Sequence, residues 1–115
     1  MTKINDIASA LQIFEEAANI HAMATEKGDY KLANKSYRKI IKCIAYLKDQ
    51  NHVNNLLIFL THSSIGVRMW AATYLLPKYE KESLLILELI AKTEGIHSLT
   101  AKTTIDEWGK GNLKL

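Results

Sequence analysis

Lys31, Lys35, Arg38 and Lys42 recur at helical spacing and form the chain's clearest chemical pattern. On a helix these positions fall on one face, opposite Ala33, Tyr37, Ile40 and Ile44. Such a stripe is either a solvated outer face or an electrostatic patch for an acidic protein surface or for phosphates. Aromatic side chains interleaved with the cations would favour nucleic acid. Tyr30 and Tyr37 are expected nearer the apolar face, which argues against that version. The four histidines, His21, His52, His62 and His97, show no metal-binding spacing, so a metal site would need them to converge from separate helices. Cys43 is the only cysteine. Among Ile41, Ile44 and Ala45 it reads as a small core residue, and no local base makes it a nucleophile. Glu15-Glu16 and Asp106-Glu107 are neighbours whose side chains diverge by about 100° on a helix, a poor geometry for acid–base work. Ser63-Ser64-Ile65-Gly66 is neither a phosphate-cradling loop nor a nucleophile elbow. No reaction and no cofactor is indicated, and the expectation is a binding protein and not an enzyme.

The 115 residues fit one domain, 1–115, with enough chain to build its own core. Apolar residues make up 48%, which argues against a disordered chain, and the formal charge is +3. The longest apolar run, Leu56 to Leu60, is too short for a bilayer. The start, Met1-Thr2-Lys3-Ile4-Asn5-Asp6, has no charged-then-apolar leader pattern, so the expected location is cytoplasmic. The mild net charge hides an uneven distribution. Lys27, Lys31, Lys35, Arg38, Lys39, Lys42 and Lys48 stand against Asp29 alone, whereas from Asn51 to Pro77 the sole fixed charge is Arg68.

Scarce glycine and proline separate stretches of helical periodicity, and no stretch alternates as a strand would. A first helix is expected over Asn5 to Lys27, with Ile4, Ile7, Leu11, Phe14 and Ala18 on one stripe. Asn5 or Asp6 can cap it, and Gly28 suits the left-handed residue past its end. Asp29 caps a second helix, Tyr30 to Lys48, with an apolar face of Ala33, Tyr37, Ile40, Ile41, Ile44 and Leu47. Asn51 opens a third through Leu60. Ser63 or Ser64 caps a fourth, which carries Val67, Trp70, Ala71, Tyr74 and Leu75 and stops before Pro77. A fifth, Lys81 to Thr93, is apolar on nearly every side and so belongs in the middle of the domain. A sixth runs from His97 to Trp108, closed by Gly109 and Gly111, before an irregular tail. The fold expected is all-α, three antiparallel helical hairpins.

Leu56-Leu57-Ile58-Phe59-Leu60, a polar turn, and Val67-Arg68-Met69-Trp70-Ala71-Ala72-Thr73-Tyr74-Leu75 together resemble a HEAT-type repeat, the last segment resembling its V-R-x-x-A-A-x-x-L helix. HEAT turns usually carry Asp-Pro before the Val-Arg, and here Thr61-His62-Ser63-Ser64 stands instead. More widely, the chain resembles a small bacterial HEAT-like family catalogued as a domain of unknown function. The match lies in Glu26-Lys27-Gly28-Asp29-Tyr30 with Ala33-Asn34-Lys35, in Val67 to Ala72 with Leu75-Leu76-Pro77, and in Glu107-Trp108 with Gly109 to Leu113. That resemblance implies three hairpins stacked as a short right-handed superhelix. It also implies kinship with immunity proteins that neutralise a toxin domain in bacterial competition.

In such a superhelix the second helices of the hairpins share a face. Lys31, Lys35, Arg38 and Lys42 would lie near Met69 and Thr73, and these near Thr103 and Glu107, as a surface for a protein partner. Arg68 would pair with a carboxylate of a neighbouring repeat, Glu88 or Asp106, at a cost on the order of 3 kcal/mol if the pair were broken. Trp70 and Trp108 fall on apolar stripes as structural residues, although tryptophan is also favoured in binding hot spots. Nucleic-acid binding through the basic stripe is the alternative function, since some DNA-repair glycosylases use HEAT-like repeats. No membrane partner is expected.

Overall fold

A computed structural model describes residues 3–115, so Met1 and Thr2 of the N-terminal segment lie outside the described residues. Among the described residues there are six helices and no strand. Five are α-helices, α1 (Ile7–Lys27), α2 (Tyr30–Asp49), α3 (Ile65–Leu75), α4 (Glu80–Ala91) and α5 (Ile96–Gly109), with a 3-10 helix, Val53–Thr61, between α2 and α3. The chain divides into two units between Leu56 and Leu57.

In the first unit α2 packs along α1. Asp6 caps α1, accepting from the Ser9 N–H at 2.8 Å, while the Ser9 hydroxyl accepts from the Asp6 N–H. At the other end Gly28 sits at φ 74, where a Cβ would be strained. There the Asp29 N–H reaches back to the Ala24 carbonyl at 2.9 Å. Asp29 then caps α2 through the Leu32 N–H. Small Ala10, Ala17, Ala18 and Ala22 of α1 are buried with Phe14, so the helices can approach closely. The buried face of α2 is Ser36, Ile40, Cys43, Ile44 and Leu47. It is centred one step away from the expected stripe, and Tyr37 is 45% exposed.

The third helix differs from expectation in start and in winding. Asn51, expected to open it, instead ends α2 at φ 59, a left-handed position that asparagine tolerates. The His52 N–H then bonds the Leu47 carbonyl at 2.8 Å. From Val53 the chain is wound as a 3-10 helix, and at three residues per turn Val53, Leu56 and Phe59 are buried along one side of it, with Leu60 buried beside Phe59. Val53, Asn54, Asn55 and Ile58 are also indifferent α-formers.

In the second unit α4 packs on both α3 and α5, and α3 touches α5. Ser98 closes the α4 end, its hydroxyl donating to the Ala91 carbonyl at 2.7 Å. Although α4 has two helical neighbours, it is not enclosed. Only Ser83, Leu87 and Ile90 are buried, whereas Leu85 and Leu89 are 59% and 54% exposed. The expectation that an all-round apolar helix must be interior fails here, because a helix flanked by two others keeps a third side open.

Candidate functional site

Two surfaces, one in each unit, carry the groups able to recognise a ligand. In the first unit Lys31, Lys35, Arg38 and Lys42 are all exposed along α2, and none has a carboxylate partner among the described residues. Their spacing spans about 16 Å of helix. Tyr30 is 79% exposed and Tyr37 is exposed as well, so the aromatics do not turn inward as expected, although they lie off the line of the cations. The shift of the buried face toward Ser36 and Cys43 is what leaves them exposed.

In the second unit α4 carries Glu80, Leu84 and Glu88 four residues apart, which sets them on one line beside α5. A groove of about 490 Å³ lies there, lined by these three with Ile105, Trp108 and Leu113. The Trp108 indole N–H donates to Glu80 Oε2 at 2.6 Å and fixes one wall. The other wall depends on how α5 ends. Gly111 sits at φ 76, the Asn112 N–H bonds the Glu107 carbonyl at 2.9 Å, and the Asn112 side chain reaches the Glu107 carboxylate at 2.6 Å. This left-handed closure folds the tail back and brings Leu113 onto the groove. A second depression, about 590 Å³, continues over Lys81, Glu82, Leu84, Leu85 and Glu88. Along this trough three carboxylates face one ammonium.

Arg68 does not take the expected carboxylate. Its Nη1 donates to the carbonyls of His62 at 2.7 Å and Ser63 at 3.1 Å. The same turn is held by the Ser64 N–H donating to His62 Nδ1 at 2.9 Å, and Ser64 caps α3 through the Val67 N–H. The His62 ring meets Phe59 edge-on at 6.0 Å. The Thr61-His62-Ser63-Ser64 departure and the arginine therefore explain each other, since the guanidinium satisfies carbonyls that an irregular turn leaves open. Asp106, one of the expected partners, instead pairs with Lys110 at 2.9 Å. That contact raises the Lys110 pKa, chiefly through the hydrogen bond.

Of the remaining residues expected at a binding face, Met69 is buried and offers no surface. Thr73 is half-buried with its hydroxyl on the Met69 carbonyl at 2.8 Å, Thr103 is exposed, and Glu107 is half-buried on Asn112. Trp70 and Trp108 are both half-buried and not core. Trp70 stacks on Tyr74 with ring centroids 6.0 Å apart. Cys43 is fully buried, and burial pushes its thiol up to about 11. No group of three His, Cys, Asp or Glu side chains able to hold a metal occurs among the described residues. No helix there is long and apolar enough to cross a membrane.

Sequence reasoning misses Glu80, Leu84, Glu88, Ile105 and Leu113. The four-residue spacing on α4 is visible, but assigning that helix to the interior conceals it. These features define an all-helical protein with one basic face and one acidic, apolar groove. No family model matches the chain, and no curated protein or solved structure matches it.

Proposed function

We propose that the protein is a non-enzymatic protein-binding module built of HEAT-like helical hairpins, most concretely an immunity protein that neutralises a bacterial toxin domain in the cytoplasm. The observation that carries the binding role is the open side of α4. Leu85 and Leu89 stand one turn apart on it, each more than half exposed. Covering the exposed part of one such leucine is worth about 1–2 kcal/mol, so an uncovered leucine ridge rimmed by charges favours a protein partner. The toxin-neutralising role and the superhelical stacking rest on the resemblance of Val67 to Ala72 and the flanking segments. Affinity capture of the tagged protein from its own cells, with nuclease treatment in parallel, tests the reading. One stoichiometric, nuclease-resistant protein with a toxin-like domain supports it, and co-expression rescue would come next. Retention of nucleic acid alone, or of nothing, refutes it.

Nucleic-acid binding stands as a second reading because Tyr30 and Tyr37 are exposed beside the α2 cations. Exposed rings can stack on bases while the cations neutralise phosphates. It requires steep salt dependence, and the Lys35→Glu, Arg38→Glu double variant should abolish it. Failure to shift DNA or RNA at low salt ends it.

A further inference from the structure

We infer that the α4–α5 groove receives an amphipathic helix of a partner protein, bearing one large apolar side chain between two basic residues. This rests on the protein-binding reading and names the partner's chemistry. Glu80 and Glu88 are eight residues apart on one helix line, a separation of about 12 Å, with Leu84 midway. Beside Leu84 the groove is lined by the apolar Ile105, Trp108 and Leu113. The matching ligand therefore has the inverse pattern on one helix face: basic, apolar anchor, basic, at successive intervals of about one turn. The anchor would pack against these apolar side chains, and each cation would meet one carboxylate. Glu80 accepts the Trp108 N–H through one carboxylate oxygen, which leaves the other for a partner's cation. The excess of carboxylates over Lys81 along the continuing trough favours the same sign of charge.

A second copy of this chain fits poorly. Its basic face on α2 places Asn34 and Lys35, and no apolar side chain, midway between Lys31 and Arg38. A different protein is the occupant.

The probe is a stapled, alanine-rich helical peptide of about four turns carrying Lys, Leu and Lys one turn apart on one face. A control peptide has Glu in both Lys positions. Calorimetry and amide-shift mapping on the full chain should show the basic peptide shifting Leu84 and the Trp108 indole N–H. Binding should weaken with salt, and the acidic control should bind at least about tenfold more weakly. The Glu80→Gln, Glu88→Gln double variant keeps an acceptor for Trp108 and should bind about tenfold more weakly. The Asn34→Ala variant on α2, outside the groove lining, should bind unchanged. No binding, equal binding of both peptides, shifts confined to α2, or a dimer held through the groove would each overturn the proposal. Cell capture with the Glu80→Gln, Glu88→Gln protein separates the two readings. A partner retained undiminished overturns the groove while the interaction reading stands. A groove that binds the basic peptide in a protein capturing no cellular partner refutes the interaction reading alone.

Discussion

Replacing Arg68 by alanine should destabilise the protein by about 2 kcal/mol, and the origin of that loss separates two pictures of the residue. If Arg68 formed a buried ion pair, truncation would strand a carboxylate and cost about 3–5 kcal/mol. The structure shows neutral acceptors instead, the His62 and Ser63 carbonyls. A hydrogen bond from a charged donor is worth about 1.5–3 kcal/mol where water cannot replace it. The His62 contact is part-buried and falls near the lower figure. The Ser63 contact is exposed, so water takes over most of it and about 0.5 kcal/mol remains. Urea unfolding of Arg68→Ala, Glu88→Gln and the double variant measures both the loss and the coupling. A coupling below about 0.5 kcal/mol is expected between Arg68 and Glu88. A coupling above about 1 kcal/mol would restore the ion pair and refute the turn-clamp argument.

Three further perturbations probe the same geometry. Between pH 9 and about 11 the unfolded chain gives up the Cys43 proton that the folded chain keeps, so this group's contribution to stability falls as pH rises through that window. The stability difference between wild type and Cys43→Ala should be flat below about pH 8 and then fall by at most about 1.4 kcal/mol per pH unit; a flat difference throughout would contradict the burial argument. Ser83 is fully buried and its hydroxyl has no hydrogen-bond partner among the described residues, so Ser83→Ala should raise stability by about 0.5–1.5 kcal/mol in thermal melts, whereas a loss above about 1 kcal/mol would show that the hydroxyl is satisfied. Gly111→Ala meets no neighbouring atom but must occupy φ 76, so it should cost about 1 kcal/mol; a substitution without cost would mean that the tail closure tolerates a side chain.

What was legible in the sequence was mostly local. Asp6, Asp29 and Ser64 cap the helices where their short acceptors predict, and Gly28 takes the left-handed position expected of it, because these roles need only near neighbours. The basic stripe was equally legible, since exposure of four evenly spaced cations needs little tertiary information. Where the reading of the second helix failed, a packing decision outside the segment had intervened. Tyr37 fits an apolar stripe by spacing, yet the α2 face that meets α1 runs through Ser36 and Cys43, and a bulky ring is left outside. Arg68 reads as half of an ion pair because the sequence shows its isolation but not the open carbonyls of the turn before it.

The reading of α4 carries the functional consequence. Apolarity on every side of a helix states that each side gains by being covered; it does not state that this chain supplies every cover. In the second unit α3 and α5 bury Ser83, Leu87 and Ile90, and Leu85 and Leu89 stay in contact with water. Two exposed leucines one turn apart are costly to keep in a free protein and gain energy only when something else covers them. The sequence feature that misled the fold reading is therefore the same one that locates the surface, and the Glu80–Leu84–Glu88 line beside it supplies the charge pattern by which one partner helix would be preferred over another.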